Sequence, residues 1–154
     1  MIIRKAGLED IDILIKLRID YLSDERKIVM PPQEQEEFKQ NFKIYLQKYM
    51  PDNSFFAYIA EVNGVAVSTA FLSVAERPPQ SPYSSLTGTV YNVLTYPEYR
   101  RQGIATKIMT ALMEEAQSLN IVNIDLLASN DGKYLYENLG FGLSKYTYMR
   151  KKLI

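Results

Sequence analysis

The spacing of apolar and polar positions changes several times along the chain, and each change marks an element. The opening run Ile2-Ile3-Arg4-Lys5-Ala6 is short and apolar-led, and predicts a strand. Leu8, Ile11, Leu14, Ile15, Arg18 and Leu22 follow near helical spacing. Glu9 and Asp10 lie in the first turn, where carboxylates favour the positive end of the helix dipole. Pro31 and Pro32 open a second helix with a stripe of Phe38, Phe42, Tyr45, Leu46 and Tyr49, and that spacing predicts core packing. Residues 54–76 read as two strands joined by Asn63-Gly64, a pair that takes positive φ cheaply and marks a hairpin. Residues 77–88 are too polar and too broken by proline and serine to form an element. Residues 89–96 predict a further strand, bounded by Gly88 and Pro97. After Gly103, an amphipathic helix collects Ala105, Ile108, Met109, Leu112, Met113, Ala116 and Leu119 on one face. Residues 122–129 predict a buried strand, and residues 131–140 a short helix with Gly140 placed to end it. Residues 143–153 predict a closing strand.

The order β-α-α-β-β-β-α-β-α-β combines a hairpin run with one β-α-β crossover. It predicts an α+β fold with a mixed sheet and helices on both faces, not a parallel doubly wound sheet. The length of 154 residues, with no repeat and no linker, predicts a single domain over residues 1–154.

Charge changes the picture by exclusion. Eighteen Lys and Arg balance eighteen Asp and Glu, so no whole-molecule field draws the chain to nucleic acid or an anionic membrane. With no basic stripe either, a nucleic-acid-binding domain is disfavoured. The chain has no cysteine and no histidine. Disulfides and thiolate chemistry are excluded, and so are the commonest general base and the commonest metal ligand. The first residues lack the pattern of a signal peptide, and no apolar run approaches about 18 residues. The expectation is a cytoplasmic protein without a membrane partner.

One turn invites chemistry. Between the strand ending near Tyr96 and the helix after Gly103 lie Arg100, Arg101 and Gln102. A strand leading through glycine into a helix exposes unpaired N–H groups at the positive end of a dipole, which is an anion site. Gly103 lets an anion approach without a Cβ in the way, two arginines add charge, and Ala105 is small. These features suit a diphosphate, although the stretch also reads as a solvated turn. The chain contains neither G-x-x-x-x-G-K-S/T nor G-x-G-x-x-G.

Arg100, Gly103 and Ala105 fill the three specified positions of Arg/Gln-x-x-Gly-x-Gly/Ala, and the stretch Leu135-Tyr136-Glu137-Asn138-Leu139-Gly140-Phe141 follows downstream. In that order and spacing the pair resembles the two hallmarks of the GNAT superfamily of N-acetyltransferases. The resemblance extends to the order of elements over nearly the whole chain. It implies a mostly antiparallel sheet of six to seven strands, about four helices and a splayed pair of parallel strands. It implies acetyl-CoA as cosubstrate and no metal. The coenzyme diphosphate would rest on the backbone of Arg101, Gln102, Gly103, Ile104, Ala105 and Thr106. The pantetheine arm would pair with Val93, Leu94 and Thr95, splaying that strand from the one containing Asp125 to Ser129. A backbone N–H near Val93 and Leu94 would polarise the thioester oxygen. Tyr136 falls at the general-acid position, where a phenol can protonate a departing thiolate; the alternative is a tyrosine packed beside Leu135 and Leu139. Asn130 falls at a position that often bonds the coenzyme, and equally suits a turn or cap.

The expected activity is transfer of acetyl from acetyl-CoA to a primary amine of a small molecule or peptide, by direct attack in a ternary complex. The alternative is a non-catalytic acyl-CoA-binding or interaction module. A homodimer is left open. An amine with a pKa near about 10.4 must lose a proton before it attacks. Asp24, Glu25 and Glu76 are the carboxylate candidates for base, each also readable as a solvated surface group, and Tyr91 or Asn92 could instead order a water. The acceptor is expected among Tyr21, Asp24, Glu25, Tyr83 and Tyr146, where carboxylates and aromatic rings suit a cation.

Overall fold

The computed structural model describes residues 1–79, 82 and 84–154. Five strands, β1 (Ile2–Lys5), β2 (Phe55–Val62), β3 (Val65–Glu76), β4 (Leu86–Thr95) and β5 (Asn123–Asp125), lie side by side in chain order. The first three pairings are antiparallel and the last is parallel. A parallel pairing needs a crossover, and helix α3 (Ile104–Ser118) supplies it. The other helices are α1 (Ile11–Asp24), α2 (Pro32–Tyr49) and the short α4 (Lys133–Asn138). Single 3-10 turns cover Leu8–Asp10 and Pro97–Tyr99. Asn63 and Gly64 turn the β2–β3 hairpin with φ of 51° and 75°, the conformation their sequence predicts.

Successive strand residues point to opposite faces, and the two faces are covered differently. Phe56 and Ala60 join Val67, Leu72 and Val90 against Ile108, Met109 and Leu112 of α3. Phe55, Ala57 and Ile59 join Phe71 and Leu94 against Leu14 and Leu17 of α1 and Leu46 of α2. Burying each of the larger of these side chains contributes about 1.5–3 kcal/mol. Leu46 of the α2 stripe is buried in the core, and Phe42, Tyr45 and Tyr49 pack against it partly buried. The Tyr45 ring meets that of Phe55 edge-on at 5.5 Å, and the Phe42 ring lies 6.1 Å from that of Phe71. Arg4 fastens the start of α1 to the sheet. Its Nη1 and Nη2 bond the two carboxylate oxygens of buried Asp10 at 2.7 and 2.8 Å, and Nη2 also meets Glu61 Oε1 at 2.7 Å. Those bonds hold the Asp10 carboxyl below its ordinary range.

The sheet is smaller than the expected six to seven strands. The strand read over residues 122–129 spans only Asn123–Asp125, and residues 143–153 form no strand among the described residues. The two corrections share a cause. β5 leaves its ladder after three residues, so it offers little edge for a further strand. The alternating tail has side chains but no surface to bury them against, and Leu143 and Met149 remain 89% and 88% exposed. Among the described residues, no helix is long and apolar enough to cross a membrane.

Candidate active site

β4 is the element on which the site is built. It pairs with β5 only from Thr87 to Thr89, and the stretch from Val90 to Thr95 continues beyond the last described partner on that side. The parallel strands therefore part, leaving a backbone edge along which an extended arm can lie. On the other side of β4 the ladder has an irregularity. Thr69 pairs with Leu94 and Phe71 with Tyr91, so one extra residue is accommodated on β4. Asn92 takes a φ of 56° there, in the left-handed region that asparagine tolerates better than most residues. This is a β-bulge, and it re-aims the backbone beside Val93. Asn92 is 2% exposed and turns toward α1, where its Oδ1 accepts a bond from Arg18 Nη1 at 3.2 Å. The next carbonyls are fixed as well: Ser68 Oγ donates to Leu94 O at 2.7 Å, and Arg100 Nε donates to Thr95 O at 2.9 Å.

The turn into α3 follows. Arg101 and Gly103 both take positive φ, of 60° and 72°. Gly103 caps α3, and no side chain bonds the cap. Lys107 N–H makes the bond to Gly103 O at 3.1 Å, so Ile104, Ala105 and Thr106 present first-turn N–H groups without helical acceptors. A Cβ on Gly103 would meet nothing within 4 Å, so the space above the turn is open. The side chain of Ile104 is buried in the core, and only its backbone faces this role. Arg100, Arg101, Gln102 and Thr106 are exposed, and Ala105 is half-buried. Gln102 Nε2 donates to Glu98 O at 3.3 Å.

Tyr136 stands on α4, half-buried, with its ring 6.0 Å from that of Phe141 in an edge-on contact. Burial pushes its phenol up to about 12, and the nearby charges of Tyr21 and Glu25 add to the effect. Its hydroxyl has no hydrogen-bond partner among the described residues, and it remains protonated at neutral pH. Gly132 makes room for the ring, since a Cβ there would lie 2.9 Å from Tyr136 Cε2.

Glu25 belongs to the same neighbourhood and is bound to Arg100, Nη2 to Oε1, at 2.8 Å. Asp24 is exposed at the end of α1. Glu76 lies elsewhere: it pairs with Leu86 at the opposite end of β4 and accepts a bond from Ser85 Oγ at 3.1 Å. At strand rise, Leu86 and Val93 are roughly 20 Å apart, too far for Glu76 to act at the bulge. Tyr21 is half-buried beside the site, while Tyr146 is exposed in the tail. Tyr83 lies outside the described residues. Asn130 is exposed in the turn before α4; the cap position belongs to Gly132, whose N–H bonds Ser129 Oγ at 3.2 Å. A groove of about 560 Å³ lies elsewhere, between α1 and α2, lined by Lys16, Asp20, Glu36 and Lys43 among others, and contains none of these groups.

Sequence reasoning misses two features here. The bulge is signalled only by an asparagine within an otherwise β-branched and aromatic strand. Arg18 is signalled by its position, a cation at an apolar spacing of α1.

A family model described as the acetyltransferase (GNAT) family matches residues 18–141. Among solved structures, the chain is similar to a predicted acetyltransferase with acetyl-CoA from Clostridium acetobutylicum. The two are 29% identical with a TM-score of 0.83, over 97% of this chain and 95% of that one. A GCN5-related N-acetyltransferase from Ralstonia eutropha JMP134 is 21% identical with a TM-score of 0.78, over 97% of each chain. Glucosamine-6-phosphate N-acetyltransferase from Arabidopsis thaliana is 19% identical with a TM-score of 0.71, over 99% of this chain and 98% of that one. The last two likenesses bear on the fold alone. No curated protein matches the sequence.

Proposed function

The chain belongs to the acetyltransferase (GNAT) family, and on that premise we propose that it moves acetyl from acetyl-CoA to a primary amine of a small molecule or peptide. The observation that carries the reading is β4. Its open edge carries a bulge and runs on into an uncapped helix start, so one continuous path offers hydrogen bonds to an extended arm and then to a diphosphate. The likeness to the Clostridium structure with acetyl-CoA supports the choice of coenzyme.

In this reading the pantetheine arm pairs with Val93, Leu94 and Thr95. The diphosphate rests on the backbone from Arg101 to Thr106, flanked by Arg100, and Asn130 bonds the coenzyme from the α4 side. The bulge beside Val93 aims a backbone N–H at the thioester oxygen, where negative charge develops as the amine attacks. A fixed donor in that position contributes about 3–4 kcal/mol to the transition state. The C–N bond forms, the C–S bond breaks, and the leaving thiolate takes the Tyr136 proton, which the phenolate regains from solvent. The amine gives its own proton to solvent through a water held by Glu25 or Asp24. Burial keeps the Tyr136 phenol protonated, so it is available as a donor to the departing thiolate, and it also makes the phenol a weaker acid. The site of action is the cytoplasm, where acetyl-CoA is made and used.

Direct attack requires both substrates to be bound together. Initial rates at varied acetyl-CoA and amine are expected to give intersecting reciprocal plots. Parallel plots, or an acetylated enzyme trapped without amine, would replace direct attack with a covalent relay.

A further inference from the structure

Arg18 is the feature that this mechanism does not use. It stands on the face of α1 that packs on the sheet, between buried Leu14 and Leu17 on one side and Tyr21 and Leu22 on the other. Three carboxylates of α1 and its caps are held by other cations. Asp10 holds Arg4, Asp20 holds Lys16, and Glu25 holds Arg100. Among the described residues, no carboxylate pairs with Arg18.

What surrounds the guanidinium is aromatic and neutral. Its Cζ lies 5.7 Å from the centre of the Tyr21 ring, and Nη1 donates to the Asn92 amide oxygen at 3.2 Å. The groups that act on its charge are the phenols of Tyr21, Tyr91 and Tyr45 and one other cation, Arg26. Burial makes the charged form more costly than in water. A half-buried cation held by one amide and flanked by rings retains donors that none of these groups uses, because a guanidinium carries five N–H bonds in a fork suited to an oxyanion.

Position gives the cation a use. Asn92 is the bulge residue, immediately before the strand proposed to hold the thioester. Tyr21 lies between the two groups, its ring beside Arg18 and its phenol close enough to Tyr136 to act on that phenol. Arg18 therefore lies on the α1–α2 side of the bulge, opposite α3 and the coenzyme turn. We infer that Arg18 is an acceptor-binding residue, and that the acceptor amine carries an oxyanion, a carboxylate or a phosphate, a few bonds from its nitrogen. The inference rests on the acetyltransferase reading and narrows its substrate class. The oxyanion forks onto Arg18, the body of the acceptor lies on the rings of Tyr21 and Tyr91, and the amine is left facing the thioester at Val93. Of the carboxylates beside the site, Glu25 is neutralised by Arg100.

The test uses matched acceptors and Arg18 variants. Each pair differs only in the anion: an amino acid against its amide, and a phosphorylated amino sugar against the unphosphorylated one. Wild-type protein is expected to favour the anionic member of one pair by about 10- to 100-fold in kcat/KM, the worth of a charge-assisted bond pair. Arg18→Gln is expected to erase that preference through KM while changing the neutral member less than threefold, and Arg18→Lys to restore part of it. The pair that responds distinguishes carboxylate from phosphate. Equal rates on both members of both pairs, or an equal loss on both in Arg18→Gln, would overturn the inference while leaving acetyl transfer standing.

A second measurement is independent of turnover. With coenzyme A present, inorganic phosphate and acetate are titrated while the Arg18 Nε–H and Asn92 amide NMR signals are followed. A saturable shift that Arg18→Gln abolishes supports the subsite, and unmoved signals refute it. Absence of coenzyme binding and of turnover would instead refute the acetyltransferase reading.

Discussion

Arg100 reaches back across the turn to Glu25, with Nη2 2.8 Å from Oε1, while its Nε bonds Thr95 O at 2.9 Å. One side chain thus joins the C-terminal end of α1, the end of β4 and the turn that opens α3. Both partners are partly exposed, with side-chain accessibilities of 49% and 37%, so the pair contributes about 1 kcal/mol or less to stability.

Arg100→Ala should therefore separate folding from function. The melting temperature is expected to stay within about 2–4 °C of wild type, the shift that about 1 kcal/mol produces at this chain length. The KM for acetyl-CoA is expected to rise by about 5- to 20-fold, matching the loss of one charge-assisted bond to the diphosphate. An unchanged KM with a large drop in melting temperature would make Arg100 a structural tether only.

Tyr136→Phe keeps the ring and its edge-on contact with Phe141 and removes only the proton. The departing thiol resembles cysteine, with a pKa around 8.5, and leaves tolerably without help. The loss in kcat is therefore expected at the low end of general-acid effects, about 10- to 100-fold, with coenzyme affinity and folding unchanged. Gly132→Ala reaches the same residue from behind, since the added Cβ would lie 2.9 Å from the Tyr136 ring. It should lower kcat by displacing the phenol. Full kcat in Tyr136→Phe, measured with a substrate for which chemistry limits the rate, would assign the tyrosine to packing.

Burial raises the phenols of Tyr45, Tyr58, Tyr96 and Tyr136, the last to about 12. The folded chain then keeps protons that the unfolded chain, titrating near 10, has lost. This contribution to stability is fully present below pH 10 and is lost as pH rises toward the folded values. Thermal melts should be insensitive to these groups up to about pH 9 and should fall steeply above pH 10, less so in Tyr136→Phe. A melting temperature that climbs through this range would contradict the assignment. For the same reason, Tyr136 should impose no descending limb on kcat below about pH 10.

The path from β4 to α3 was legible because it depends on local rules. Gly103 is read as leaving room for an anion and stands before α3 with a φ of 72°, and the helix after it keeps Ile108, Met109 and Leu112 buried at their predicted spacing. The tail was misread for the opposite reason. Tyr146 and Tyr148 alternate as a strand would, but alternation describes a face and does not supply an edge to pair with. The surroundings of Asn92 were not legible. Its φ of 56° and its bond to Arg18 come from the β3–β4 register and from α1, partners distant in sequence. Arg18 shares the helical spacing of Leu14 and Leu22, and only the packing of α1 on β4 shows that its charge is half-buried.

Release of coenzyme thiol from acetyl-CoA, followed across a panel of primary amines with wild type and Gly103→Glu, tests the central claim most directly. Wild type is expected to release thiol in proportion to amine acetylated, and to melt higher when coenzyme is bound. Gly103→Glu is expected to lose both, because a carboxylate would stand where the diphosphate rests, at a cost to stability of only about 1 kcal/mol for a side chain at positive φ. A folded wild-type protein that gains no stability at millimolar acetyl-CoA and releases no thiol with any amine would contradict the account.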